Sequence, residues 1–314
     1  MVDPILSHPL IALVGPTAVG KSLISLQIAK ELPVEIVSAD SRLLFRGMDI
    51  GTAKPSDEEL ASVKHHLIDI ADPDENIGLA AYQQMAQKAI NSIHSRNRVA
   101  LMVGGSGQYV KSVLEGWNIP RVPPNYELRS ELEQFANEHG HQALFNRLRE
   151  LDPVSAERID ARNIRRVVRA IEVTLESGIP MSTLRTKSKP KCNILHLGLV
   201  RPRAELYQRI DMRIDQMIDA GLINEVRNLI TRYGWNDAAM SGLGYRQFKD
   251  YLDGKETLDD AIALLRKDTR RFLRQQMTWF RLDDPNIHWF EVGPDTDKEI
   301  VKSVRYWLEG LVAL

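Results

Sequence analysis

The sequence predicts an α/β protein in which a parallel sheet flanked by helices forms one core and a mainly helical stretch is inserted into it. Three observations carry this. Short apolar runs at 10–14, 34–38 and 98–103 are separated by segments of helical character, as in strand–helix units that build parallel sheets. The first run feeds a glycine loop, Gly15-Pro16-Thr17-Ala18-Val19-Gly20-Lys21-Ser22, and residues 22–32 follow with Leu23, Leu26, Ile28 and Leu32 near helical spacing. From 117 to 190 the character changes to charged helical segments without an obvious strand, entered through Pro120, Pro123 and Pro124.

The glycine loop fits the G-x-x-x-x-G-K-[ST] phosphate-binding pattern at every position. Gly15 and Gly20 let the backbone curl so that its N–H groups and the helix N-terminus face one anion. Lys21 adds charge and Ser22 offers a hydroxyl to magnesium. The core is therefore read as P-loop NTPase-like. Nucleotide triphosphates, ATP above all, are the common guests of such a loop, but any diphosphate fits the same cradle.

Composition narrows the class. Of 314 residues 43% are hydrophobic, and no apolar run is long enough to span a bilayer. The N-terminal residues lack the basic region of an export signal, so the protein is read as cytoplasmic. The single cysteine, Cys192, excludes an intramolecular disulfide and argues against a cysteine-based zinc site. With a net charge of -1, any nucleic acid must be held by local basic patches.

The second strand, 34–38, delivers Ala39-Asp40-Ser41 at its C-terminal end, where open α/β sheets bind ligands. Asp40 there suits a magnesium ligand, a general base or a turn cap. An ordered turn-rich loop follows from Arg46 to Pro55. His65 and His66 are read as structural, since adjacent histidines share no helix face and have no partners at metal spacing. A helix over 80–93 leads to the third strand, which ends in Gly104-Gly105-Ser106-Gly107 where many P-loop NTPases carry a magnesium-binding aspartate.

The inserted stretch carries Arg158, Arg162, Arg165, Arg166 and Arg169 with Asp160 as the nearby acid, either a solvated basic face or a phosphate contact. Residues 193–200 read as a strand returning to the sheet. The next helix stacks Arg209 and Arg213 one turn apart, and either reaches toward the phosphate site or pairs with Asp211 or Asp215. A glycine turn, Ser241-Gly242-Leu243-Gly244-Tyr245-Arg246, follows. The helix over 261–281 sets Arg266, Lys267, Arg270, Arg271, Arg274 and Arg281 against Asp268 alone, with Phe272, Trp279 and Phe280 interleaved as in RNA-binding surfaces. A short strand at 287–292 and a closing helix complete the chain.

With these pieces in order, the chain resembles the bacterial tRNA dimethylallyltransferases, or tRNA isopentenyltransferases, over nearly its whole length. The phosphate loop, Asp40-Ser41, Arg46-Gly47-Met48-Asp49-Ile50-Gly51-Thr52-Ala53-Lys54-Pro55, Val103-Gly104-Gly105-Ser106-Gly107, Arg166-Val167-Val168-Arg169-Ala170-Ile171-Glu172 and Gly244-Tyr245-Arg246 carry the likeness. So does Arg274-Gln275-Gln276-Met277-Thr278-Trp279-Phe280-Arg281. Ser106 stands where threonine is usual, and Phe45 where tyrosine is common.

The resemblance implies transfer of a dimethylallyl group from dimethylallyl diphosphate to N6 of the adenosine 3′ of the anticodon in tRNA. By this likeness residues 1–116 and 201–314 form the catalytic core and 117–200 an insertion contacting tRNA. Residues Gly15, Pro16, Thr17, Ala18, Val19, Gly20, Lys21 and Ser22 hold the diphosphate, with Mg2+ on Ser22. Asp40 is the base, and Thr17 and Arg213 assist departure, with Arg209 in reserve. The implied tRNA contacts are Asp40, Ser41, Arg42, Leu43, Ser106, Arg129, Arg165, Arg166, Val167, Val168 and Arg169. Ser241, Gly242, Leu243, Gly244, Tyr245, Arg246 and the run from Arg274 to Arg281 complete them. A monomer is expected. An adenylate dimethylallyltransferase, an ATP-dependent small-molecule kinase and a non-catalytic RNA-binding module are the alternatives.

Overall fold

A computed structural model describes residues 8–188, 192–235 and 239–312. Residues 1–7, part of the stretch read above for an export signal, lie outside the described residues. The chain divides into two compact units, one of Met1–Leu114 with Pro190–Leu314 and one of Glu115–Lys189.

The first unit holds a six-stranded sheet of order β3-β2-β4-β1-β5-β6. Its strands are β1 (Pro9–Val14), β2 (Val34–Ser38), β3 (His65–His66), β4 (Val99–Gly104), β5 (Asn193–Val200) and β6 (His288–Glu291), and every pairing is parallel. Parallel sheets covered on both faces read as unbroken apolar runs. Accordingly Leu10 to Val14 and Ala100 to Met102 are buried. Around the sheet lie α1 (Lys21–Glu31), α2 (Asp57–Ser62), α3 (Leu79–His94) and α4 (Gly107–Leu114). The second unit contributes α5 (Tyr126–His139), α6 (His141–Leu151), α7 (Pro153–Arg158), α8 (Ile164–Ser177) and α9 (Met181–Leu184). Returning to the first unit, the chain forms α10 (Arg203–Asp219), α11 (Leu222–Tyr233), α12 (Lys249–Leu252), α13 (Leu258–Trp279) and α14 (Thr296–Val312).

One boundary differs from the sequence reading. The insertion was drawn to residue 200, yet β5 pairs with β1 along Pro9 to Val14, so these residues belong to the sheet and the helical unit ends before them. Central β1 is thereby flanked by β4 and β5. The histidines are structural as read: His66 Nε2 lies 2.7 Å from Glu35 Oε2, and His65 Nδ1 lies 2.9 Å from the Val63 carbonyl.

The second unit has its own core, built on Leu132, Leu144, Leu148, Val168 and Ile171. Beside that core Glu172 is fully buried. It accepts two hydrogen bonds from Arg129 at 2.8 and 2.9 Å, one from Arg169 and one from the Asn125 N–H at 2.7 Å. Burial pushes its carboxyl up, and these donors together bring it below the ordinary value.

Candidate active site

The site is built from strand ends. After β1 the phosphate loop turns with Gly15 at φ 148° and Ala18 at φ 63°, and α1 starts from Gly20 without a side-chain cap. Unsatisfied first-turn N–H groups thus face the loop, which suits an anion. Gly15 is required by close approach as well, because a Cβ there would lie 2.7 Å from the Leu199 carbonyl oxygen of β5.

Four side chains shape the loop. Lys21 Nζ donates to the carbonyls of Gly15 at 2.9 Å and Pro16 at 2.8 Å. Burial pushes its ammonium down to about 8, a shift that Asp40 opposes and Arg213 reinforces. Arg209 Nε donates to the Ala18 carbonyl at 2.8 Å, and Arg201 Nε to that of Val19 at 3.0 Å. From α13, Gln276 accepts the Thr17 N–H at 2.8 Å and donates to the Gly105 carbonyl at 3.2 Å.

The ends of β2 and β4 are tied together. The Ala39 N–H donates to Val103 at 2.7 Å, and the Ser106 N–H donates back to Ala39 at 3.2 Å. Ser106 Oγ accepts the Ser41 N–H at 3.1 Å. Asp40 therefore projects from a braced turn. Its Oδ1 accepts the Arg42 N–H at 2.9 Å, whereas Oδ2 has no hydrogen-bond partner among the described residues.

A cavity of about 440 Å³ opens here, lined by Thr17, Asp40, Arg213, Ser241, Arg246 and Phe272 among others. Arg213 makes no hydrogen bond or ion pair among the described residues, and burial, then Arg209, lowers its pKa while Asp40 raises it. The two stacked arginines thus part company: Arg209 is spent on the loop backbone and Arg213 faces the cavity.

Several residues read as RNA contacts have other settings. Val167 and Val168 are core residues of the second unit, at 0% and 2% exposure, because the face of α8 that carries them packs on its neighbours. Arg129 and Arg169 are committed to Glu172. Tyr245, Gln276 and Phe280 are buried in the first unit. On α13, Arg266 pairs with Asp215 and Arg270 with Asp211, and just past its end Arg281 pairs with Asp283 at 2.7 Å. The patch is less positive than its own helix suggests, because α10 brings two carboxylates to it. Arg165, Arg166, Arg274 and Gln275 remain exposed. The sequence reading missed Glu172 as a partner, although its spacing from Arg169 was a usable signal. It also missed Glu225, treated below, for which no local signal exists.

Fold and site define a class: a P-loop α/β protein whose phosphate cradle opens on a cavity beside an acidic strand end. Residues 43–283 match the family model for IPP transferase. The chain belongs to the IPP transferase family, and it is a transferase. It is 51% identical over 274 residues to the tRNA dimethylallyltransferase of Roseiflexus castenholzii, covering 87% of this chain and 90% of that one. To the tRNA dimethylallyltransferase of Roseiflexus sp. it is 48% identical over 303 residues, covering 96% and 99%. The solved structure of tRNA isopentenylpyrophosphate transferase from Bacillus halodurans is similar at a TM-score of 0.73 and 40% identity, covering 98% of each chain.

Proposed function

We propose that the protein transfers the dimethylallyl group of dimethylallyl diphosphate to N6 of the adenosine immediately 3′ of the anticodon in tRNA. One observation carries the reading: the unpartnered carboxylate oxygen of Asp40 shares a cavity with Thr17 of the phosphate loop and with Arg213. An adenine amine is a weak nucleophile, because its lone pair is delocalised into the ring. A base that takes its proton during attack offsets that weakness by about 10²–10⁴-fold. Asp40 accepts the N6 proton as the N6–C1 bond forms and the C1–O bond breaks. The electron pair of that bond leaves with the diphosphate, which Lys21, the loop amides, Thr17 and Arg213 stabilise.

Magnesium suits this site. The Ser22 side chain is exposed at the start of α1 and has no protein partner among the described residues. Mg2+ keeps several waters and takes one or two protein oxygens beside phosphate oxygens, so no all-protein cage is needed. Bound there, the ion neutralises diphosphate charge. The glycine ending of β4 favours this use of the loop over ATP-driven phosphoryl transfer.

The target adenosine flips out of its loop at a cost of a few kcal/mol. Phosphate contacts from Arg165 and Arg166 on α8, and from Arg274 on α13, offset it. The protein acts as a monomer in the cytoplasm, where its RNA substrate resides. Among the described residues no helix is long and apolar enough to cross a membrane.

The test is direct. Purified protein, magnesium and dimethylallyl diphosphate are incubated with an anticodon stem-loop bearing the adenosine, and with free AMP in parallel, and the products are weighed by mass spectrometry. A dimethylallyl mass gain on the RNA alone is expected. Gain on AMP alone indicates the adenylate enzyme, and gain on neither overturns both.

A further inference from the structure

Glu225 lies on α11, outside the lining of the cavity, and its carboxylate is where two of the cavity's loops are joined. Oε2 accepts the N–H groups of Asp49 at 3.0 Å and Ile50 at 2.7 Å. Oε1 accepts the Gly51 N–H at 3.0 Å and the Tyr245 hydroxyl at 2.8 Å. Three successive N–H groups converging on one point form an anion-binding nest. Here the anion is a side chain of the same protein, so this loop spends its donors on Glu225 and presents Thr52 and Ala53 to the cavity.

Tyr245 completes the joint. It is fully buried, and burial first, then the Glu225 charge, raises its pKa, so it remains a donor at every working pH. A Cβ on Gly51 would lie 2.7 Å from Tyr245 Cζ, which shows how closely the 49–51 turn rests on that ring. Both loops supply cavity wall: Gly51, Thr52 and Ala53 from one, Leu243, Gly244 and Arg246 from the other. The phosphate loop, in contrast, is shaped by Lys21, Arg209, Arg201 and Gln276, with no contribution from Glu225.

We propose that Glu225 is a positioning residue for the nucleotide side of the cavity, fixing the two loops at the separation that receives the flipped base opposite Asp40. The inference rests on the function proposed above. It predicts a split: loss of Glu225 disturbs RNA use and leaves diphosphate use intact. Four donors converge on one carboxylate, and a carboxamide of equal size turns one of its two acceptor atoms into a donor facing donors.

The experiment compares wild type, Glu225→Gln and Tyr245→Phe in steady-state transfer to the stem-loop, with amide hydrogen exchange over residues 49–51. For Glu225→Gln the stem-loop KM rises about tenfold while the dimethylallyl diphosphate KM stays within about threefold, and exchange over 49–51 accelerates. Tyr245→Phe removes one bond of four and raises the stem-loop KM by about threefold. Unchanged constants, or equal rises in both KM values, overturn the assignment. Should Glu225→Gln fail to fold, Tyr245→Phe decides alone by the same split. If wild type transfers nothing to RNA, the proposed function falls. The assignment then also falls unless exchange over 49–51 accelerates in the variants.

Discussion

Two arginine-rich helices, α8 in the helical unit and α13 in the sheet unit, look alike along the chain and differ once packed. On α8, Arg169 turns inward to the fully buried Glu172, while Arg165 and Arg166 make no side-chain hydrogen bond or ion pair among the described residues. On α13 the inward-facing cations meet aspartates of another helix: Arg266 pairs with Asp215 and Arg270 with Asp211. Among the described residues Arg274 meets no carboxylate and donates to the Tyr207 hydroxyl at 3.2 Å. A count of charges along one helix therefore measures neither its field nor its free cations. The neighbours on every packed face decide how many remain for an RNA phosphate.

The largest expected effect lies off both helices and sharpens the contrast between holding RNA and acting on it. Asp40→Asn lowers kcat by about 10²–10⁴-fold, the usual worth of a positioned base. Stem-loop affinity stays within about twofold, because neither helix is touched. Single-turnover transfer with binding by filter retention measures both. Equal loss of rate and affinity merges the two roles and breaks the contrast.

Lys21 extends the comparison to a cation buried against backbone carbonyls. With its pKa at about 8, the ammonium is charged below that value and loses its proton above it. Diphosphate binding therefore weakens as pH rises through 8, with KM for dimethylallyl diphosphate climbing about tenfold per unit above it until the bound form also titrates. The stem-loop KM stays flat over the same range, since Lys21 holds the phosphate loop and lies on neither helix. Proton uptake on diphosphate binding near pH 8, read by calorimetry in two buffers, checks the sign.

A paired substitution inside the helical unit divides free arginine from spent arginine. Arg166→Ala reduces stem-loop affinity by about fivefold and the salt slope by about 0.7–0.9, the signature of one lost phosphate contact, with little change in Tm. Arg129→Ala does the reverse. It strips two hydrogen bonds from a buried carboxylate, costing about 1–3 kcal/mol of stability, and leaves the salt slope unchanged. Thermal unfolding and binding at three salt concentrations separate the outcomes.

These contrasts mark what the sequence could and could not carry. The glycine loop, the position of Asp40 and the parallel strands were legible because each is local: eight adjacent residues form the loop after β1, and the end of β2 brings Asp40 to the cavity that Thr17 also lines. The span of β5 and its return to the sheet were legible too, while the domain boundary was drawn at residue 200, past the strand instead of before it. Glu225 was illegible, since its backbone partners lie 174 to 176 residues away and nothing near it in the chain marks it. Val167 and Val168 were named as RNA contacts from the resemblance, but helical periodicity turns them inward. The charge of α13 was overcounted for the same reason: its neutralising partners sit on α10, outside the window in which the helix was read.

The smallest effect tests that last point. Asp211 holds Arg270 with one oxygen, and its other, Oδ1, is buried without a partner. Arg270 also lies over the Tyr207 ring at 5.1 Å from its centroid. Asp211→Asn removes the opposing charge from a half-buried pair and leaves the guanidinium on its aromatic support, so stability falls by about 1 kcal/mol. If α13 lies along the RNA, the released charge raises stem-loop affinity by about two- to threefold and steepens the salt slope. Unchanged affinity would mean that this face of α13 points away from the phosphates. The RNA-holding role would then rest on Arg274 at the end of the helix and on α8.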